Sequence, residues 1–345
     1  MTQRNISSGK IYKYADRLCQ LKEGKGVTPI CVEVHLTMAC QQKCRYCTFK
    51  GKSMTANLDY GVLKTTLGAL ARNGCVSLLW SGGGDPTMYR QGMFGLADVI
   101  HMAGALGFKQ GLYTNGESLT LEMMEEAVHN CTFVRISVDA FTSKVYKKLH
   151  NSQGYAKVLQ NLKTLLMLKE KSGSSIDIGV SYVIYRENMF DIFRAKQFLE
   201  QIHPDYIYFR PGVYPNTKAG DLRIQKKIVG ITRRLCSGVK AQFEYSTAKT
   251  NQLLCPRPRE YTRCFAGNLF PTISSNGGIY VCCHHIQNPN YEIGNLYRQS
   301  IEDIFTRPHV TSDIQACPVN CRGDILNQDV DHFMRLLENT HTDFL

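Results

Sequence analysis

The apolar positions of this chain change period repeatedly, with short strand-like runs alternating with stretches at helical spacing. Residues 30–36 read as a strand. Leu63, Leu67 and Leu70 share one face of a helix that Asn73-Gly74 ends. Residues 75–80 form a short apolar run leading into Ser81-Gly-Gly-Gly-Asp-Pro-Thr87. A helix over 91–106 precedes a strand at 108–113 that ends in Thr114-Asn-Gly116. A helix near 119–130 leads to a strand at 131–138, closed by Asp139. Val158, Leu162 and Leu165 mark the next helix, with Ser172-Gly-Ser-Ser as its exit. A strand at 176–185, a helix at 188–201 and a strand at 205–210 complete the run. Strand and helix alternate about six times, which predicts an α/β fold of parallel strands with helical crossovers. Active residues then belong at the C-terminal strand ends. Beyond 212 the pattern predicts only a helical stretch near 219–236 and a loop holding Cys255-Pro-Arg-Pro. Residues 271–282 read as two short strands around a Ser-Asn-Gly-Gly turn. Leu326, Val330, Phe333 and Leu337 mark a last helix.

Composition adds little to this picture except in charge and cysteine. The 345 residues, 43% hydrophobic and 20% charged, suit a globular chain with a large core in one or two domains. No run of 18 apolar residues suggests a membrane span. The first ten residues lack the apolar core of a signal peptide, so a cytoplasmic location is expected. Net charge is +12, and residues 210–263 carry twelve Lys/Arg against Asp221, Glu244 and Glu260. Such a bias attracts nucleic acid or an acidic or phosphate-bearing substrate. Without an accompanying nucleic-acid motif, a solvated helix face explains it better. Fourteen cysteines in a chain of this kind point to metal or redox chemistry.

Three of those thiols lie in Cys40-Gln-Gln-Lys-Cys44-Arg-Tyr-Cys47, at the end of the first strand. Soft thiolates suit iron–sulfur clusters, and three leave one iron of a [4Fe–4S] cube open to substrate or cofactor. This spacing, with Tyr46 before the last cysteine, resembles the radical S-adenosylmethionine (AdoMet) superfamily. The resemblance implies a partial (β/α)6 barrel in which the open iron binds AdoMet, and reductive cleavage gives a 5′-deoxyadenosyl radical that abstracts a substrate hydrogen. Gly82-Gly83-Gly84-Asp85-Pro86 is similar to the Gly-Gly-Glu-Pro motif of the family, with Asp85 in place of the usual Glu. Thr114-Asn-Gly116 and Ser137-Val-Asp139 resemble the strand-end motifs that contact AdoMet. Tyr46, Gly83, Gly84, Asp85, Thr114, Ser137, Asp139 and Arg210 are therefore the expected AdoMet-binding residues. Arg210 suits a carboxylate or phosphate on AdoMet or substrate. His150 stands where related sequences often have an Arg, and reads as a surface histidine.

A second set, Cys264, Cys282, Cys317 and Cys321, suits a structural zinc or a fully ligated cluster. Cys264 and Cys282, with Gly277 between them, and Ile293-Gly-Asn-Leu296 resemble the SPASM/twitch auxiliary-cluster motif in its one-cluster form, which implies a second [4Fe–4S] cluster. Cys283 is the rival to Cys282 as ligand. The expected organisation is a lead-in at 1–28, a radical AdoMet barrel at 29–212, a connector at 213–262 and an auxiliary-cluster domain at 263–345. An auxiliary cluster relaying one electron gives alcohol dehydrogenation; a free thiol returning hydrogen gives epimerisation. Cys255 and Cys283 are the candidate catalytic thiols, whereas Cys19, Cys31, Cys75, Cys131 and Cys236 read as small packed hydrophobes. The segments at 321–327 and 341–345 resemble radical AdoMet proteins of sugar biosynthesis, so a sugar- or cyclitol-like substrate is expected, with peptide modification as the alternative. The short lead-in leaves no room for a leader-peptide-binding domain. An external one-electron donor such as flavodoxin or ferredoxin is an expected partner.

Overall fold

The computed structural model describes residues 9–51, 56–212, 219–256, 258–311, 314–315, 317–319 and 321–336. Seven strands form a continuous parallel array: β1 (Cys31–His35), β2 (Ser77–Ser81), β3 (Lys109–Thr114), β4 (Cys131–Ser137), β5 (Asp177–Ile184), β6 (Tyr206–Pro211) and β7 (Gln242–Tyr245). The helices are α1 (Ala15–Lys22), α2 (Tyr60–Arg72), α3 (Leu96–Ala105), α4 (Leu121–Asn130), α5 (Ser143–His150), α6 (Tyr155–Ser172), α7 (Ala195–Ile202), α8 (Ala219–Leu235), α9 (Thr247–Leu254) and α10 (Asp324–Leu336). Between α9 and α10 lie β8 (Thr272–Ile273), β9 (Gly278–Tyr280) and β10 (Glu292–Asn295). Strand β8 pairs parallel to β1, and β9 and β10 follow antiparallel, so one ten-stranded sheet runs through the molecule.

The strands alternate by the two-residue pleat. Val32, Val34, Leu78, Trp80, Leu112, Val134, Ile136, Ile178, Val180, Ile207 and Phe209 belong to the main apolar core with residues of α2, α3, α4, α6 and α7. The intervening positions include many polar or aromatic residues: Glu33, His35, Ser81, Tyr113, Arg135, Ser137, Tyr206, Tyr208 and Arg210. Arg135 lies over the rings of Tyr113, Tyr206 and Tyr208, 4.8–5.3 Å from their centroids, which joins β3, β4 and β6 across this second face. The sheet is therefore the open α/β barrel that strand–helix alternation predicts, with a polar interior.

Three stretches depart from the sequence expectation. The loop expected after α8 contains β7 and α9. Gln242-Phe-Glu-Tyr245 is half-buried at the sheet edge, so its apolar content is too thin to register as a strand. The helix expected from 91 starts at Leu96, because Arg90–Gln91 and Phe94–Gly95 form a small ribbon turning at Gly92, whose φ is 61°. The N-terminal residues are more than a polar lead-in. Ile11, Leu18, Leu21 and Val27 form a separate apolar cluster with Phe265, Leu269 and Val330, seating α1 on α10. Leu337 and 341–345 fall outside the described residues.

Candidate active site

The cysteine loop leaves the C-terminal end of β1 and is docked on three neighbours. The glycine turn after β2 packs beneath it: Gly84 N–H donates to Thr37 O at 3.1 Å and Asp85 N–H to Ala39 O at 2.9 Å. A Cβ on Gly83 would collide with the Met38 side chain, and one on Gly84 with the Ala39 carbonyl. The end of β3 comes next. Asn115 Nδ2 lies 3.7 Å from Cys40 Sγ, and Gln41 Nε2 donates to Asn115 Oδ1 at 2.9 Å. Helix α5 completes the seat, with Arg45 N–H donating to Leu149 O at 2.9 Å.

Asp85 is 3% exposed, and its carboxylate accepts from Thr87 N (3.0 Å), Thr87 Oγ1 (2.6 Å), Thr114 Oγ1 (2.9 Å) and Asn115 N (2.7 Å). Burial raises its pKa against the pull of these donors. Asp85 and Thr114, both expected to touch AdoMet, thus hold each other. They lock the glycine turn to the end of β3, which places Asn115 beside Cys40.

His150 corrects the sequence expectation of a surface histidine. It is 4% exposed, with Nε2 3.0 Å from Val138 O and 3.5 Å from Asp139 Oδ2. Its Nδ1 lies 3.0 Å from Gln42 Oε1 and 3.3 Å from Cys44 Sγ. Gln42 is oriented by its own Nε2, which donates to Glu117 Oε2 at 2.7 Å, so Oε1 is the atom presented to His150. Nε2, facing two acceptors, donates to Val138 O, and Nδ1 is the ring nitrogen turned toward Gln42 and Cys44. Lys147 and Lys148, beside it on α5, are solvent-facing, whereas the ring itself turns inward. Gln42, Asn115, Glu117 and His150 escaped sequence reasoning; their partners are up to 108 residues away.

Asp139 adopts a left-handed φ of 55°, which Asp tolerates better than most residues. Its Oδ1 accepts from Val183 N–H at 2.6 Å, and its other oxygen faces His150. Burial raises its pKa, opposed by His150, the Val183 amide and Arg210. Ser137 is half-buried at the end of β4. Tyr46 stacks on Tyr185 with ring centroids 4.1 Å apart, beyond the end of β5. Arg210 is half-buried at the end of β6, near Asp139 and Tyr185.

The second cysteine set gathers around the turn before α10. Asn327 Nδ2 donates to Cys264 Sγ at 3.2 Å, and His285 Nε2 lies 3.6 Å from Cys317 Sγ. Arg259 binds this turn from below, donating to Ile314 O (3.0 Å) and Pro318 O (2.8 Å). Asp324 accepts from Gln252 Nε2 (2.7 Å), Tyr261 Oη (2.8 Å) and Gln328 Nε2 (2.9 Å). Cys282 feels Cys283 first, then Cys321 and Cys264, and Cys317 feels Cys321, Cys264 and Cys282. The Sγ of Cys283 takes another direction. Arg322 Nη1 lies 3.4 Å from it, and the same nitrogen is 2.8 Å from Glu33 Oε2 inside the barrel. The adjacent pair Cys282 and Cys283 is thus divided, one thiol with the other cysteines and one at the barrel mouth. Cys255 is exposed at the C-terminus of α9.

Charge at the mouth is concentrated. Burial alone would raise the Glu33 carboxyl, but Arg322 and His35 outweigh it and hold it at about 2. Burial pushes the Cys283 thiol up to about 12. Lys249, on α9, is pushed down to about 8 by burial and then by Arg210 and Arg322. His284 is pushed down to about 4 by burial, then by Arg322 and Lys249.

Both cysteine sets fit iron–sulfur clusters on donor chemistry. All fourteen cysteines are free thiols. Burial, with the charge of neighbouring thiols among the further causes, pushes Cys40 to about 11 and Cys44 and Cys282 to about 12. Thiolates so placed ionise together only around a cationic centre. In the second set, Cys317 donates to Cys321 and so lowers the pKa of the Cys321 thiol. Among the described residues no three His, Cys, Asp or Glu gather as ligands of one metal ion. A cube spreads its ligands over a larger body than a single ion does.

Comparison with known proteins agrees with this donor set. The radical SAM superfamily model matches residues 34–192, and the SPASM iron–sulfur cluster-binding domain model matches residues 264–326. A comparison with curated proteins gives no match. The fold is similar to that of Streptococcus suis SuiB bound to S-adenosylmethionine, with a TM-score of 0.67 and 17% identity over 97% of this chain and 81% of that one. It is also similar to anSMEcpe with bound AdoMet, with a TM-score of 0.62 and 13% identity over 91% and 99%. AdoMet, a [4Fe–4S] cluster and auxiliary iron–sulfur are the cofactors these domains carry. The chain belongs to the radical SAM superfamily and bears a SPASM iron–sulfur cluster-binding domain toward its C-terminus.

Proposed function

We propose that this enzyme inverts a carbon centre of a sugar- or cyclitol-like substrate, with Cys283 returning the hydrogen. In this reading Cys40, Cys44 and Cys47 hold the AdoMet-binding [4Fe–4S] cluster, and Cys264, Cys282, Cys317 and Cys321 hold the auxiliary one. Bound there, cluster and AdoMet supply a 5′-deoxyadenosyl radical when one external electron arrives from a donor of the flavodoxin or ferredoxin class. Gly83, Gly84, Ser137 and Tyr46 line the AdoMet side, and Asp85, Thr114 and His150 fix the loops that carry the ligands. The substrate sits in the polar mouth between the two cysteine sets.

The observation that carries the reading is the contact of Cys283 Sγ with Arg322, 3.4 Å away and itself bound to Glu33 inside the barrel. The substrate C–H bond breaks homolytically toward the adenosyl carbon, giving 5′-deoxyadenosine. The Cys283 S–H bond then breaks homolytically as a new C–H forms on the opposite face. The resulting thiyl takes one electron from the external donor and one proton from solvent. Arg322 holds the thiol in place, and Glu33 fixes Arg322.

The test is turnover in deuterated water. One deuterium is expected at the inverted carbon, and Cys283→Ala is expected to form 5′-deoxyadenosine without inversion. Inversion with deuterium incorporation in Cys283→Ala overturns the role of this thiol; a ketone product overturns epimerisation in favour of dehydrogenation. A peptide substrate is the second reading. Its support is the shared fold with SuiB bound to its precursor peptide SuiA, at a TM-score of 0.66 and 17% identity. A mass-shift assay on sugars and peptides side by side separates the two.

A further inference from the structure

The mouth of the barrel holds more positive charge than its carboxylates balance. Arg322 is matched by Glu33 at 2.8 Å. Lys249 has no ion pair or hydrogen bond among the described residues, and its charged neighbours are Arg210, Arg322 and the thiols Cys283 and Cys321. Arg210 likewise has no ion pair among the described residues. The nearby Asp139 carboxylate is committed to the Val183 amide and His150. His284, beside Lys249 and Arg322, adds a polar ring that also feels Glu33.

The placement of Lys249 is built by the fold. Helix α9 packs against β6, the strand that ends in Arg210. Three residues on, Gln252 ties the same helix to Asp324 at 2.7 Å, two residues past Arg322. Positions three apart share a helix face, so this bond turns Lys249 toward the Cys321–Arg322 turn. Holding a half-buried ammonium among two guanidinium groups costs free energy, which the neighbouring thiolates offset in part and a bound anion offsets further.

We propose that Lys249 and Arg210, backed by Arg322, form a subsite for an oxyanion on the substrate. The two uncompensated charges match a phosphate monoester dianion. The inference rests on the mouth being the substrate site, as in the proposed function, and narrows the substrate to a phosphorylated molecule. Anchoring the phosphate at α9 sets which carbon lies between the AdoMet side and Cys283.

The experiment is isothermal titration of reconstituted, oxygen-free, AdoMet-loaded and unreduced enzyme with inorganic phosphate, at low ionic strength. Saturable phosphate binding is expected. Lys249→Met weakens it about tenfold or more, as loss of one charge-assisted contact requires. Lys249→Arg retains it, and the exposed Lys240→Met leaves it unchanged. Acetate binds at least about tenfold more weakly than phosphate. AdoMet affinity and iron content of Lys249→Met stay at wild-type levels, which separates the subsite from the cofactor site and from misfolding. No saturable binding, equal binding by Lys249→Met, or equal binding of acetate overturns the phosphate subsite. Failure of deuterium incorporation together with intact phosphate binding overturns the thiol-donor reading and leaves the subsite standing. Intact deuterium incorporation without phosphate binding does the reverse.

Discussion

Replacing Asp85 by alanine tests whether this carboxylate acts by touching AdoMet or by holding the loops around it. The side chain is 3% exposed and accepts four hydrogen bonds, two from the backbone amides of Thr87 and Asn115 at 3.0 and 2.7 Å. The two threonine hydroxyls can rotate toward other acceptors once the carboxylate is gone; the amides cannot. Each stranded buried amide costs about 1–3 kcal/mol, so Asp85→Ala is expected to destabilise the region by about 3–4 kcal/mol. Amide hydrogen exchange reads this locally, without assuming that a cluster-bearing protein unfolds in two states. At about 1.36 kcal/mol per decade, exchange over 85–88 and 114–116 accelerates by about two to three decades. AdoMet affinity falls as a consequence, because Asn115 and the glycine turn lose their seat. Asp85→Glu keeps the charge but forces a methylene into a filled site, at about 1–3 kcal/mol. If Asp85→Ala abolished AdoMet binding while exchange in both segments changed less than about threefold, the carboxylate would be a direct ligand and the argument would fail.

Other outcomes follow from the same geometry. Cys40→Ala is expected to lower iron from about eight to about four per chain and to abolish 5′-deoxyadenosine formation; retained cleavage refutes the assignment of the first loop. His150→Ala removes a polar ring nitrogen 3.3 Å from Cys44 Sγ and is expected to shift the reduction potential of the AdoMet-binding cluster in an EPR redox titration, whereas an unchanged potential refutes that contact. The Glu33 carboxyl is held at about 2 against an ordinary 4.5, so its stabilisation of about 3 kcal/mol is complete above pH 4.5 and is lost as pH falls toward 2. Acid denaturation of Glu33→Gln with no loss of this pH-dependent component sinks the reasoning.

The order of elements was legible because each parallel strand buries one face against helices and keeps a two-residue rhythm, while each crossover keeps a helical one. Glycines at 82–84 and the cysteine spacing were legible because close backbone approach and soft-metal ligation admit few residue types. Strand β7 was not, since one exposed and three half-buried residues at an edge leave almost no apolar trace. Nor was the contact between α1 and α10, because neither helix reveals its partner. Local chemistry therefore set where the two cysteine groups lie in the chain and that AdoMet-type radical chemistry goes with them. Only the curved arrangement of the sheet decided that His150 reaches Cys44, that Cys283 reaches Arg322, and that Lys249 meets Arg210 and Arg322. Side-chain identity limits what a residue can do, but burial, charge and neighbours arise from distant segments, as with Glu33 and Arg322, 289 residues apart.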